Sequence, residues 1–245
     1  MNILTYANTE QGGREYNEDY FGYLYDGERK RGIWVIADGL GGHSHGEIAS
    51  RLITETMVTG FENLTVFNDE SLINLALYAN ERLLIVQEAD PSLRGMKSTL
   101  NAAFIESGII KTVHAGDSRF YLFRNNEISF STNDHSVPWM AMEAGEISYD
   151  DIRFHDERNV LLKVMGLGNL NLTNCVNTVE FACGDAFLLC TDGFWEYVFE
   201  SEMIDALSLS ADPCEWYRRM CERIASRAPA DADNFSAVCS FVVEE

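Results

Sequence analysis

The sequence predicts an α+β fold in which two antiparallel β-sheets pack face to face and α-helices flank them, giving four layers in the order αββα. Short apolar or alternating runs of strand length occur throughout the 245 residues, and only three longer segments have the apolar spacing of a helix. Several runs follow one another through short turns, as in hairpins, which favours antiparallel sheets over a doubly wound parallel sheet. Neither a tandem repeat nor a linker rich in Pro, Gly and Ser interrupts the chain, so we expect one domain over residues 1–245.

The individual elements follow from apolar periodicity. Strand patterns occupy residues 3–7, 20–25, 32–37, 100–105, 109–115, 120–124, 176–181, 186–190 and 237–243. Helical spacing predicts helices over residues 46–58 and 69–88. A third helix is predicted over residues 213–227, where Pro213 suits the first turn.

The charge of the chain excludes one class of partner. Its 18 Lys and Arg residues against 39 Asp and Glu give a formal net charge of −21. Such a chain repels phosphate backbones and anionic membrane surfaces, so we expect no nucleic-acid partner and no membrane insertion. The N-terminus has no basic and apolar leader pattern, and no run approaches 18 apolar residues, so a cytoplasmic location is expected. Six cysteines without a Cys-x-x-Cys pair are expected to be reduced core residues.

Two apolar runs end in a carboxylate. Residues 32–39 and 186–193 each read as a buried strand that finishes in Asp-Gly, at Asp38 and Asp192. Taken singly, Asp-Gly is most simply a turn signal. Two such ends, each followed by helix-like sequence, weaken that interpretation. More acids stand at comparable junctions, namely Glu18, Asp19, Asp117 and Asp233.

These carboxylates indicate a metal centre if the strand ends converge. Like charges within about 5 Å raise one another's pKa, so cations would have to accompany them. Ligands that are oxygen alone select hard ions, and Mg²⁺ or Mn²⁺ is the chemical match. Two such ions about 3.5–4 Å apart, bridged by one carboxylate, suit phosphoester hydrolysis.

Six segments in order along the chain carry a family resemblance. They are residues 14–19 (REYNED), 37–43 (ADGLGGH) with Gly46, Glu47, Ala49 and Ser50, 115–119 (AGDSR), 133–136 (NDHS), 191–193 (TDG) with Trp195, and 233–236 (DNFS). Together they resemble the metal-dependent type 2C serine/threonine protein phosphatases in their compact bacterial form. The resemblance implies a protein phosphatase that hydrolyses phosphoserine and phosphothreonine by direct attack of a water or hydroxide bridging two Mg²⁺ or Mn²⁺ ions. It also implies phosphorylated protein substrates, among them targets of an opposing bacterial Ser/Thr kinase.

The resemblance also assigns metal ligands by position. Asp38 would bridge the two ions, and the carbonyl of Gly39 would add a ligand to one of them. Asp192 and Asp233 would complete the other, and Glu18 would reach a metal through water. A third, weaker ion would take Asp117 together with Asp192 as ligands.

Three further residues receive roles around the metals. Asp19 would orient the water network, and Arg14 matches the arginine that binds substrate phosphate. A guanidinium fork suits a phosphate dianion better than a lysine does. His43 is a candidate general acid toward the leaving alkoxide, because an unperturbed imidazole titrates near pH 6.5.

The chain departs from the family pattern at two places, and it contains a segment that resembles the family's flap. Residues 95–99 read GMKST, without Gly directly before the Ser-Thr pair, so the local backbone there is expected to differ. Lys163 stands where many relatives carry an arginine. Residues 136–159 resemble the flap beside the active site, and an ordinary helical excursion is the alternative.

Rival functions have weaker support. Residues 42–46 satisfy Gly-x-Ser-x-Gly, the nucleophile elbow of serine hydrolases, but that elbow requires Ser44 on the turn directly leaving its strand, and here Asp38 ends the strand. A metal pair formed by His43 and His45 is an alternative, although a loop role is favoured beside so many carboxylates. A module that binds partners without turnover is disfavoured, because none of the proposed ligands is missing.

Overall fold

The computed structural model describes residues 1–41 and 45–244. Eleven strands are found there: β1 (Asn2–Glu10), β2 (Asp19–Asp26), β3 (Arg31–Leu40), β4 (Lys97–Ser98), β5 (Leu100–Glu106), β6 (Ile109–Ala115), β7 (Arg119–Arg124), β8 (Glu127–Ser131), β9 (Val176–Glu180), β10 (Ala186–Cys190) and β11 (Phe235–Val243). The helices are α1 (Gly46–Glu62), α2 (Asp69–Ala89), α3 (Val137–Glu143), α4 (Asp192–Trp195), α5 (Glu200–Ser208) and α6 (Pro213–Arg227).

The strands form two antiparallel sheets, as the sequence predicts. The first sheet has the order β1-β11-β10-β7-β8, and the second has the order β2-β3-β5-β6-β9, with β4 paired to β3 outside that path. Each observed strand pair is antiparallel. The α+β prediction of two packed antiparallel sheets is confirmed.

Alternation along β3 shows why four layers form. Ile33 and Val35 face one side of the second sheet and pack with residues of α1 and α2. Trp34 and Ile36 face the other side, where they meet the first sheet around Phe187. Successive side chains of a strand point to opposite faces, so a strand buried on both faces reads as a continuous apolar run. The first sheet likewise packs its outer face against α4, α5 and α6, around Trp216.

The predicted helices are present with small differences at their ends. Helix α1 continues past residue 58 to Glu62, α2 ends at Ala89, and α6 has the predicted bounds. The side chains of Asn68 and Asp212 cap α2 and α6 by accepting from Ser71 N (2.8 Å) and Glu215 N (2.8 Å). Capping of this kind satisfies backbone donors that lie before the first helical hydrogen bond.

The sequence analysis missed five elements: β4, β8, α3, α4 and α5. Strand β8 had a usable signal, because Asn125 and Asn126 take positive φ values (52° and 60°) in the turn that joins it to β7. Consecutive Asn residues at positive φ are typical of a tight hairpin turn. The others are short; β4 has two residues and α4 has four.

The cysteine prediction holds in part. All six cysteines are free, and Cys175, Cys190 and Cys239 are buried. Cys183 is exposed, in the turn between β9 and β10, so the expectation that every cysteine is a core residue was wrong. In the part of the chain that the structure describes, no helix combines the length and the apolar character that a membrane span requires.

Replacement of Trp34 by alanine is expected to lower the free energy of unfolding by about 3–5 kcal/mol, the usual cost of removing a large buried ring. Trp34 is fully buried between the sheets, meets Phe187 edge-on (centroids 5.1 Å apart) and donates through Nε1 to Thr5 Oγ1 at 3.0 Å. Urea unfolding measures the change. The control is Ile85→Ala on the exposed side of α2, expected to change the free energy by under about 0.5 kcal/mol, and equal effects would contradict the assignment.

Candidate metal centre

The strand ends that carry acids meet at one end of the sandwich. Asp38 lies near the end of β3, directly opposite Asp19 in the β2–β3 register. The backbone of Asp38 is fixed by Thr99, whose Oγ1 accepts from Asp38 N (2.9 Å) and whose N donates to Asp38 O (2.8 Å). The antiparallel register therefore places two of the predicted site residues side by side.

Asp19 is held by two hydroxyl groups. Its Oδ2 accepts from Thr191 Oγ1 at 2.8 Å and from Ser236 Oγ at 2.7 Å. Thr191 precedes Asp192 and Ser236 is the second residue of β11, so these bonds join the two sheets at the site. The carboxylate of Asp19 is thereby fixed in place, and its water-orienting role stays a prediction of the resemblance.

Glu18 and Gly39 lie against the start of α1. Glu18 Oε1 accepts from Gly46 N at 3.0 Å, and Gly39 N donates to Glu18 O at 3.0 Å. A Cβ atom on Gly39 would lie 2.2 Å from Gly46 O, and one on Gly46 would lie 2.7 Å from Glu18 Oε1. Two glycines are therefore required for β3 and α1 to approach so closely.

Asp192 lies just after β10, and Asp233 lies just before β11. These two strands are neighbours in the first sheet. Asp192 Oδ1 accepts from Gly193 N (2.6 Å), and Asp233 Oδ1 accepts from Asn234 N (2.8 Å). A Cβ on Gly193 would lie 2.1 Å from Asn234 O, so glycine permits α4 to start against the segment that carries Asp233. Both carboxylates are thereby placed at the same end of the sheet.

Asn234 ties the loops around the site together. Its Oδ1 accepts from Glu18 N (2.8 Å), and its Nδ2 donates to Gln11 O (2.7 Å) and Tyr16 O (2.9 Å). Asn234 is buried, and the observed hydrogen bonds of its side chain all go to the backbone of residues 11–18. The position of Glu18 thus depends on Asn234.

Arg14 pairs with one of the predicted metal ligands. Its Nη2 donates to Asp233 Oδ2 at 2.7 Å, and both side chains are about half exposed. The guanidinium supplies positive charge at the place where the resemblance implies a metal ion. It stands next to the carboxylate cluster, where a substrate phosphate would approach.

Asp117 is held from behind by an aromatic ring. The backbone carbonyl of Asp117 accepts from Trp195 Nε1 at 2.9 Å, and Trp195 stacks under the guanidinium of Arg119 at 3.6 Å. Arg119 in turn donates to both carboxylate oxygens of Asp134, at 2.9 and 2.7 Å. This buried pair and the indole fix the β6–β7 turn in which Asp117 lies.

Burial and like charge raise the pKa values of the clustered acids. Burial raises the pKa of Asp38 well above its ordinary value, and Asp192, Asp19, Asp117 and Asp233 raise it further. Asp192 shows the same effect, through burial and then Asp117. The pKa of Asp19 and that of Asp117 are raised to about 7, mainly by burial. Acids whose ionisation is opposed by burial and by neighbouring like charges are suited to binding a divalent cation.

The donor set fits Mg²⁺ or Mn²⁺. The converging groups are carboxylates and backbone carbonyls, which are the ligands of hard ions. In the observed side-chain positions, no three acidic, His or Cys side chains within residues 1–41 and 45–244 are placed so that together they could hold a metal ion. Asp233, for instance, is engaged with Arg14. Metal binding is therefore expected to reorient side chains on a fixed backbone.

Several contributing residues received no role from the sequence alone. Thr191, Ser236, Asn234, Trp195 and Arg119 all fall within the matching segments, so their motif context was the available signal. Thr99 could not be found in this way, because its contact with Asp38 depends on β4 pairing with β3. His43 and Ser44 lie outside the described residues. His45, which precedes α1, has its Nδ1 3.4 Å from Glu47 Oε1.

Residues 136–159 contain α3 and a one-turn 3-10 helix at Ile152–Phe154. Tyr149 donates to Glu200 Oε1 at 2.8 Å, and Arg153 donates to Glu200 Oε2 at 2.5 Å and to Trp195 O at 2.6 Å. The segment is thus hydrogen-bonded to α5 and to the backbone of Trp195, the residue whose ring donates to Asp117 O. Lys163, the residue that departs from the family arginine, lies just beyond, with Nζ 3.4 Å from His135 Nε2.

The metal-free protein is expected to lose stability as the pH rises from about 4 to 8, with most of the loss between the unfolded and the folded pKa values of its raised carboxyl groups. The folded pKa of Asp19 and Asp117 is about 7, against about 4 in an unfolded chain. A raised pKa favours folding while the group is protonated, and this contribution is lost as pH rises through the folded value. Urea unfolding in chelator at both ends of this pH range measures the loss, and saturating Mn²⁺ is expected to abolish it.

The matched variant for this measurement is Asp38→Asn, which removes one charge from the cluster. Its metal-free form is expected to lose less stability than the wild type over the same pH interval, because fewer like charges repel the newly ionised acids. A metal-free wild type that is equally or more stable at pH 8 would contradict the electrostatic description.

Comparison with known proteins identifies the same family. The family model described as "Protein phosphatase 2C" matches residues 10–233. The serine/threonine phosphatase stp of Listeria welshimeri is 32% identical over 200 residues, covering 79% of this chain and 78% of that protein. The serine/threonine protein phosphatase PstP of Mycobacterium tuberculosis is 29% identical over 99% of this chain, which spans 46% of that longer protein.

Solved structures agree in fold. The M. tuberculosis serine/threonine phosphatase PstP/Ppp superposes with a TM-score of 0.85 at 26% identity, over 99% of both chains. The catalytic domain of PstP in complex with two manganese ions gives a TM-score of 0.84, also at 26% identity and 99% coverage of both chains. The family model covers nearly the whole chain. The chain belongs to the protein phosphatase 2C family.

Proposed function

We propose that the protein is a metal-dependent serine/threonine protein phosphatase, a hydrolase of phosphoric monoesters, whose strand-end carboxylates hold two Mg²⁺ or Mn²⁺ ions. The observation that carries this proposal is the cluster around Asp38, in which burial and four neighbouring aspartates raise the pKa of a carboxyl group. A related phosphatase domain is recorded in complex with two manganese ions. Phosphoproteins are the substrates of this activity.

The proposed ligand roles are those that the family resemblance implies. Asp38 would be shared by the two ions, the Gly39 carbonyl would add a ligand to one, and Asp192 and Asp233 would hold the other. Glu18 would contribute through water, and its carboxylate already accepts a hydrogen bond from Gly46 N. Asp117, with Asp192, would hold a third, weaker ion. When bound, the ions supply the positive charge that lowers the pKa of a water nucleophile and neutralises the phosphoryl oxygens.

The protein's own side chains orient the reacting groups. Arg14 binds two phosphate oxygens through its guanidinium fork once Asp233 turns to a cation, because the same group cannot serve both partners fully. Asp19, fixed by Thr191 and Ser236, accepts a hydrogen bond from water and orients it. His43 is the proposed donor of a proton to the leaving alkoxide.

The biological counterpart in this proposal is a bacterial Ser/Thr kinase whose products the enzyme dephosphorylates. Support comes from the curated relatives, which are bacterial serine/threonine phosphatases. The flap segment at residues 136–159 is proposed to influence which phosphoprotein docks. Tyr149 and Arg153 of this segment donate hydrogen bonds to Glu200 and to the backbone of Trp195, the residue whose ring bonds to Asp117. The flap segment and the Asp117 side of the metal site are therefore held by the same residue.

Hydrolysis of a phosphothreonine peptide with Mn²⁺, with and without chelator, tests the activity. The wild type is expected to turn over, to stop with chelator, and to lose at least about 100-fold in kcat on Asp192→Asn, because a charged ligand is lost. Asp205→Asn on the exposed side of α5 is the matched control and is expected to keep full activity. A folded, metal-loaded wild type without turnover would instead indicate a module that binds phosphoproteins.

Arg14→Lys is expected to lower kcat/KM about 10- to 100-fold, the equivalent of about 1.5–3 kcal/mol for a charged hydrogen bond. Most of the loss is expected in KM for phosphate-bearing substrates, since the fork is replaced by a point charge. Arg29→Lys, at an exposed turn on the other side of β2, is the control. Equal kinetics for Arg14→Lys and the wild type would exclude Arg14 from phosphate binding.

A further inference from the structure

A surface cavity of about 500 Å³ lies beside the candidate metal centre. One wall is the face of α6 that carries Tyr217, Ile224 and Ala225, and the other is formed by the loops that contain Gly13 and Ala232. Cavities of this volume accommodate a small ligand or a few side chains. We call this cavity the α6 groove.

The loops of the groove are the loops that carry the phosphate-binding and metal-binding residues. Gly13 immediately precedes Arg14, and Ala232 immediately precedes Asp233. Gly13 N donates to Ala232 O at 2.8 Å, which joins the two loops directly. A Cβ on Gly13 would lie 2.1 Å from Ala230 O, so the approach requires glycine. Two residues of the groove wall are therefore direct chain neighbours of Arg14 and Asp233, with consecutive Cα atoms about 3.8 Å apart.

The groove differs chemically from the centre beside it. Alanines, Pro229, Phe235 and Tyr217 line it together with Glu10, Arg218 and Glu222, and most of its exposed lining is apolar. Pro229 and Ala230 are exposed, so the apolar surface is open to solvent. An apolar concavity on an otherwise strongly acidic chain is suited to an apolar side chain rather than to a second charged group.

We propose that the α6 groove binds an apolar side chain of the phosphoprotein substrate, a few residues from the phosphorylated residue. This inference rests on the proposed function, since it needs the phosphate to lie at Arg14. An extended peptide advances about 3.3 Å per residue, so a side chain two to four residues away reaches about 7–13 Å from the phosphoresidue. The groove is continuous with the loops of Arg14 and Asp233, and a bound peptide would cover both.

The groove gives the enzyme a source of sequence preference that the metal centre lacks. Carboxylates, metal ions and Arg14 recognise phosphate, which is the same in every substrate. An apolar pocket discriminates by the size and burial of a side chain. A substrate with leucine at the matching position is thus expected to bind better than one with alanine there.

The experiment compares phosphothreonine peptides in which leucine replaces alanine at each position from four before to four after the phosphothreonine. The wild type is expected to show at least about a fivefold lower KM for leucine at one or two positions on the same side. Ala225→Trp fills the groove from an exposed helix position and is expected to remove this preference. Ala225→Glu is expected to do the same by placing charge in the groove.

Two controls separate this inference from the proposed function. p-Nitrophenyl phosphate is too small to reach the groove, so its kcat/KM is expected to be equal in the wild type and in both Ala225 variants. Ser226→Trp adds the same ring one residue further along α6, at an exposed position that does not line the groove, and is expected to keep the leucine preference.

Three outcomes would overturn the groove assignment while the phosphatase activity stands. One is a wild type that hydrolyses p-nitrophenyl phosphate without any leucine preference, and another is a preference that survives in both Ala225 variants. The third is an equal loss on peptides and p-nitrophenyl phosphate, which would place the effect in catalysis. A wild type inactive on every substrate would overturn the proposed function itself.

Discussion

Electrostatic repulsion among clustered carboxylates is the constraint on which the rest of the structure depends. Asp19, Asp38, Asp117, Asp192 and Asp233 come from different strand ends, and the other four raise the pKa of Asp38. Their concentration at one place disfavours the folded, ionised chain, and a bound divalent cation would offset this repulsion. The surrounding structure opposes this repulsion with a fully buried sandwich core and with hydroxyl and amide donors directed at the acids.

In this fold, the apolar layers that stabilise the chain and the acids of the candidate site occupy different places. The three apolar layers lie between the sheets and under the helices, whereas the acids stand at the end of the strands. Close backbone approaches at Gly39 and Gly193 bring α1 and α4 to the same end. The Arg119–Asp134 pair and the ring of Trp195 then hold Asp117 from behind. Side chains are thus free to exchange partners over a backbone that is fixed.

Much of this arrangement was predictable from the sequence, and the reasons for the failures are physical. Buried strands such as β3 read as apolar runs, and the acids at their ends followed from the same runs. Periodicity does not describe a two-residue strand such as β4 or a four-residue helix such as α4, since neither completes enough repeats. Contacts between distant segments, such as Asn234 with the backbone of Glu18 or Arg14 with Asp233, depend on the packed sheets and leave no local pattern.

The most direct test of the central claim is anomalous diffraction from crystals grown with Mn²⁺. The electrostatic account predicts two strong manganese peaks among Asp38, Gly39, Asp192 and Asp233, with the carboxylate of Asp38 between them. It also predicts that the Arg14–Asp233 pair is broken, because Asp233 turns to the ion. Crystals without manganese at these carboxylates, or with manganese elsewhere and the Arg14–Asp233 pair intact, would contradict it.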